Sequence, residues 1–324
     1  MSKILTILLI MLSISFQTYG ARLDISKEYL LAKAKAQNQA LDESLLLSFL
    51  KSQTIILVPG VLSESFREDS NQKIKVNLLM GEIFGDHENW LIENGLNYEV
   101  VLLESEASPN ENADFLNEVI EEIQGDVILF THSKGGIDTF AALNKKPELL
   151  KKVTGIITVQ TPFYGSVIAE NLSSNRLFNT LGKWLFNLLG GSEEGIKSLT
   201  MKQSKERMNA NEQSYKFITS TVPVINFGSF KEDTFGWDTP LELFRDISEK
   251  KIGKNDGVVP LTSAFLEDAY KITEAGVDHL LSVTDCRGVK KISFAPTLRY
   301  SERWSYDRVA HFKALLESLR KVSY

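Results

Sequence analysis

The chain has a single cysteine, Cys286, in 324 residues. It therefore forms no internal disulfide, and thiolate-rich zinc and iron–sulfur sites are excluded. A long basic stripe is missing as well: 36 Lys and Arg stand against 42 Asp and Glu, a formal charge of −6. Nothing along the chain is suited to neutralising a run of phosphates, which argues against nucleic-acid binding. Internal repeats, low-complexity tracts and a compact aspartate-rich calcium loop are also absent. What is present, 43% hydrophobic and 24% charged residues, describes a globular chain whose rigidity must come from a packed core.

The first twenty residues differ from the rest. Lys3 precedes the apolar run ILTILLIMLSISF, and QTYGA follows with small residues at Thr18, Gly20 and Ala21. The run is short and weakly flanked for a membrane span, so a cleaved secretory signal over 1–20 is expected, with a secreted or periplasmic product. No cysteine follows to carry a lipid anchor, and loss of Lys3 makes the mature chain one unit more negative.

Residues 22–51, rich in helix formers and free of glycine and proline, read as helical, so 21–52 is expected to be an N-terminal helical extension. A hydrophobic grammar then repeats: TIILV at 54–58, YEVVLLE at 98–104, DVILFTH at 126–132, VTGIITVQ at 153–160 and VPVINFG at 222–228. Stretches of helical length lie between them, among them 110–124 and 137–152. Strands with little polar alternation separated by helices predict an α/β domain over 53–324, its mostly parallel sheet covered on both faces. Residues 167–220 break the rhythm with Leu177, Phe178, Trp184 and Leu185 around a short helical stretch, then a polar helix. They read either as helices covering a sheet edge or as an inserted cap whose apolar face lines a cleft.

The chemistry-bearing segment is DVILFTHSKGGIDTFAAL. A buried strand ends at Thr131 and His132, and Ser133 then stands before Lys134, Gly135, Gly136 and a helix. A serine on such a turn is held out of the sheet at a helix N-terminus, with the Lys134 amide directed at a developing oxyanion. TIILVPGV places a second strand-ending turn at Pro59 and Gly60, and the amide of Val61 is the expected second donor. Asp256, in GKNDGVVPLTSA, is the expected acid. His279, in GVDHLLSV, is the expected base, because it lies downstream of the acid in a loop of a kind that can return to the serine. His132 adjoins the serine and reads as support for the turn; His87 and His311 read as structural or surface residues.

T-H-S-K-G resembles the G-x-S-x-G nucleophile elbow of the α/β-hydrolase superfamily, with Thr131 in place of the first glycine. The likeness extends to the Pro59–Gly60 turn, to D-G-V-V-P around Asp256, and to VQTPFYGS at 159–166, which resembles the T-P-x-x-G-S segment of secreted bacterial lipases and their relatives. It covers roughly residues 53–320. The resemblance implies a serine ester hydrolase with an inserted helical cap, acting on a small-molecule or lipid ester without organic cofactor or metal. Phe163, Tyr164, Leu177, Phe178, Trp184 and Leu185 are the expected pocket residues, although Phe163 and Tyr164 serve equally as packing beneath the cap. Transient contact of the cap with a lipid surface is expected, and no obligatory protein partner. An amidase, thioesterase or acyltransferase on the same fold remains open, as does a non-catalytic secreted binding protein.

Overall fold

The computed structural model describes residues 23–60, 82–104, 107–173, 193–232, 241–284 and 306–324. Six strands form one sheet: β1 Gln53–Val58, β2 Asn97–Val100, β3 Asp126–His132, β4 Val153–Val159, β5 Val224–Phe230 and β6 Tyr270–Ala275. Their order is β2-β1-β3-β4-β5-β6, and every pairing is parallel. The central strands are buried almost end to end, as a sheet sandwiched between helices requires.

Ten helices accompany the strands among the described residues: α1 Ser26–Gln37, α2 Glu43–Leu50, α3 Gly85–Glu93, α4 Pro109–Glu122, α5 Lys134–Lys145, α6 Val167–Ser173, α7 Glu193–Lys197, α8 Met201–Thr221, α9 Glu242–Ile252 and α10 Arg308–Val322. Helix α4 begins where Ser108 and Glu111 cap each other reciprocally and Pro109 supplies a helical φ. The helix expected over 137–152 begins earlier and ends at Lys145, because Pro147 lacks the N–H that would continue it, and a 3-10 turn, Pro147–Lys151, follows. The polar helix expected after 190 is α8, capped by Thr200.

Two hydrophobic layers cover the sheet. On one face Leu46, Leu50, Trp90, Phe312 and Leu316 from α2, α3 and α10 pack on Ile55, Ile128 and Ile225. On the other, Leu116, Phe140 and Tyr215 from α4, α5 and α8 pack on Ile56, Leu129 and Ile156. The stretch 22–51 is two helices, not one: α1 stops at Asn38, Gln39 takes φ +54°, and Asp42 caps α2. Both are built into the core, since Tyr29, Leu46 and Leu50 are fully buried and the Ile25 N–H bonds to the Lys271 carbonyl on β6. None of the described helices is long and apolar enough to cross a membrane.

Candidate active site

The carboxyl ends of β1, β3, β4 and β6 converge, which is where an open parallel sheet offers a crevice. At the end of β3 the chain turns sharply into α5 through Ser133, whose φ of +54° and ψ of −128° are strained for a side chain of this kind. The turn holds because strand and helix approach each other closely. A Cβ on Gly135 would lie 2.4 Å from the Val58 carbonyl oxygen, so only glycine fits there. The Ser133 N–H donates to the Val159 carbonyl and fixes the turn against β4. Thr131, where the elbow pattern has glycine, is accommodated with its hydroxyl donating to the Ile157 carbonyl.

Asp256 follows α9 in a tight turn. Its Oδ1 accepts from the amides of Val258 and Val259 at 2.9 and 2.7 Å, leaving Oδ2 for another partner. That partner is His279, in the loop after β6, whose Nδ1 lies 2.9 Å from Asp256 Oδ2. His279 Nε2 is in turn 3.0 Å from Ser133 Oγ, and the His279 N–H donates to the Asp256 carbonyl. Three residues spread over 147 positions of sequence thus form one hydrogen-bonded chain with all three side chains buried. An imidazole held by a carboxylate at Nδ1 presents Nε2 as an acceptor for the serine proton.

Gly60 brings the β1 loop against the nucleophile: a Cβ there would stand 2.7 Å from Ser133 Cβ and 3.2 Å from its Oγ. The next residue, Val61, lies outside the described residues, as do Leu177, Phe178, Trp184 and Leu185. Lys134 is the first residue of α5; its ammonium turns along the helix and makes a buried pair with Asp138, with both oxygens at 3.0 Å, and Asn112 donates to the same carboxylate. Burial raises the Asp138 carboxyl, and Lys134 and Asn112 oppose that shift.

Phe163 is a core residue, its ring edge-on to Phe140 with centroids 5.3 Å apart. Tyr164 is 40% exposed and borders a cavity of about 270 Å3 with Met208, Glu212 and Asp268. A larger cavity of about 510 Å3 lies between α5 and α8, lined by Asn144, Arg207 and Tyr215. Neither cavity is lined by Ser133, Asp256 or His279, so the triad is located by its hydrogen bonds and not by either hollow. Among the described residues, no cluster of three or more His, Cys, Asp or Glu is arranged to hold a metal ion.

His132 does not touch the serine proton. Its Nε2 lies 2.9 Å from the His279 carbonyl, to which it must donate, and burial holds its pKa well below that of free imidazole. Gln160, not singled out in the sequence, sits at the end of β4 beside this group with φ +52°. The strand read over 153–160 and the VQTPFYGS segment pointed to this stretch, without marking Gln160 itself.

Comparison with known structures agrees with this fold. The metagenomic carboxyl esterase MGS0156 superposes with a TM-score of 0.64 at 20% identity, over 84% of this chain and 76% of that one. The mature form of Bacillus licheniformis lipase BlEst2 gives 0.56 at 24% identity, over 71% of this chain and 86% of that one. Lipase 1 from Pelosinus fermentans gives 0.50 at 12% identity, over 84% and 99%. The chain has the α/β-hydrolase fold. A family model described as Mbeg1-like matches residues 98–184, which include the elbow. No curated protein matches the sequence. Within this fold, Ser133, His279 and Asp256 occupy the carboxyl edge of the sheet in the Ser, Asp, His chain order that such folds use.

Proposed function

We propose that this α/β-hydrolase is a serine hydrolase that cleaves carboxylic esters with an apolar acyl group through an acyl-enzyme. The observation that carries the reading is the continuous chain Ser133 Oγ, His279 Nε2, His279 Nδ1, Asp256 Oδ2, with links of 3.0 and 2.9 Å. His279 takes the Ser133 proton as Oγ attacks the ester carbonyl, and Asp256 holds the imidazole in the required tautomer. The amides of Lys134 and Val61 stabilise the tetrahedral oxyanion, a role supported by the contact of the Gly60 backbone with the nucleophile. His279 then protonates the departing alcohol, and water attacks the acyl-enzyme by the same route. The solved structures of similar fold are described as a carboxyl esterase and lipases, which supports an ester as substrate. The leucine- and aromatic-rich segment around Trp184 supports an apolar acyl group and transient contact with a lipid surface. The leader after Lys3 supports export to the periplasm or beyond.

Hydrolysis of chromogenic esters from acetyl to palmitoyl tests the reading, with Ser133→Ala run alongside. The wild type is expected to turn over and the variant to lose roughly 10⁴- to 10⁶-fold in kcat while staying folded. Equal rates from the two proteins would sink the mechanism. Labelling of Ser133 by a fluorophosphonate without ester turnover would move the substrate to a thioester or amide.

A further inference from the structure

Three consecutive carbonyls of the His279 loop are each held by a side chain from the end of a different strand. Ser229 on β5 donates its hydroxyl to the Val277 carbonyl at 3.0 Å. Gln160, just past β4, donates Nε2–H to the Asp278 carbonyl at 3.0 Å. His132, at the end of β3, donates Nε2–H to the His279 carbonyl at 2.9 Å. Because a carbonyl only accepts, the orientation of the Gln160 amide is fixed by its partner. The remaining bonds agree with that orientation: the second Nε2 hydrogen goes to Ser229 Oγ at 2.6 Å, and Gln160 Oε1 accepts from the Ser282 hydroxyl at 2.8 Å.

Gln160 is fully buried in a left-handed conformation that costs a non-glycine residue about 1–2 kcal/mol. Its own N–H donates to the Phe227 carbonyl, so the strained backbone is locked to β5. The side chain spans what the backbone cannot, joining the strand beside the nucleophile to the loop that carries the imidazole. On the far side, Asp278 Oδ1 accepts from the Leu280 and Leu281 amides and closes that loop.

We propose that Gln160, braced by Ser229 and Ser282 and working beside His132, is a positioning residue that sets His279 Nε2 against Ser133 Oγ. The proposal rests on the serine-hydrolase reading of the triad and adds the group that aligns it. Loss of the amide leaves the Asp278 carbonyl only the long 3.3 Å bond from the Leu281 N–H and unties the loop from β4, and a displacement near 1 Å at a reacting group costs about 100-fold in rate.

Gln160→Leu keeps the side-chain volume and removes both amide functions. It is expected to lower kcat and the rate of fluorophosphonate labelling together by about 10- to 100-fold, with KM changed less than about twofold. It is also expected to broaden or abolish the low-field proton signal of the His279 Nδ1–H in the free enzyme. Leu116→Ala, a cavity in α4 on the opposite helical layer, controls for destabilisation alone and is expected to leave labelling and the signal unchanged. Ser282→Ala removes only one brace and is expected to slow labelling about two- to fivefold, so it decides the matter if the leucine variant does not fold. Unchanged labelling and an unchanged signal in a folded Gln160→Leu, or in Ser282→Ala standing alone, would overturn the proposal. The proton signal needs no substrate. Failure of the ester assay with wild type would therefore count against the hydrolase reading, while the clamp would still be read by resonance.

Discussion

At the scale of single residues, the site depends on backbones brought closer than side chains allow. Gly60 is the clearest case, because its missing Cβ is the space that Ser133 occupies. A methyl group there meets a serine fixed at both ends, by the Val159 carbonyl and by the start of α5, and the neighbour cannot swing away as a flexible side chain would. The loop must move, and with it the Val61 amide proposed above as an oxyanion donor. Gly60→Ala is therefore expected to lower kcat by about 10- to 100-fold, with the unfolding temperature falling far less than for a core cavity. Kinetics and a thermal melt on the same preparation check this; a variant with full activity would remove the β1 loop from the oxyanion pocket. Ser133 shows the same economy, since its strained φ aims the hydroxyl out of the sheet at an imidazole 3.0 Å away.

At the scale of elements, the N-terminal helix matters more than its sequence suggests. Tyr29 on α1 accepts from His311 Nδ1 on α10 and donates to Glu274 on β6, both at 2.6 Å, while Lys33 and Tyr306 reach the same carboxylate. Helix α1, the edge strand and the last helix are thus tied in one buried knot, and burial raises the Tyr29 and Tyr306 hydroxyls and lowers Lys33. Tyr29→Phe deletes one oxygen and leaves the His311 N–H without an acceptor, an expected loss of about 1–3 kcal/mol. Urea unfolding measures that loss, and activity per folded molecule is expected to stay at the wild-type level because the triad lies outside the knot. Strands β1 and β3 to β5 are visible in the sequence because continuous apolar runs bounded by glycine or proline leave few alternatives. β6 is invisible there: YKITEA is half-exposed and carries charges, and its strand geometry comes from pairing with β5 and with the chain at Asp24. The break between α1 and α2 is equally hidden, since Asn38 to Asp42 ends one helix and caps the next without a glycine or proline.

At the scale of the whole molecule, Ser133, Asp256 and His279 are legible because each sits in a short turn with its own local grammar. The clamp is not, because Gln160 and His132 meet their partners 118 and 147 residues away and neither segment announces the contact. The same burial that builds the site has a cost in acid. All four histidines are buried, and burial holds three of them neutral: His87 is drawn down to about 3 by burial among Phe84, Phe130 and Phe312, with Arg308 adding to it, and burial carries His132 and His311 well below the free value. Below the free imidazole pKa of about 6.5 the unfolded chain takes up protons that the folded chain refuses, so stability falls as pH falls. Each such imidazole contributes a slope approaching about 1.4 kcal/mol per pH unit. For His87 the loss accrues from about 6.5 down to its folded value near 3. Neither His87 nitrogen has a hydrogen-bond partner among the described residues, so that ring contributes packing and no polar contact. His87→Leu is expected to match wild type near pH 7.5 and to exceed it by about 2 kcal/mol near pH 5. Urea titrations at the two pH values check this; an equal acid slope in variant and wild type would mean that His87 takes up its proton in the folded state.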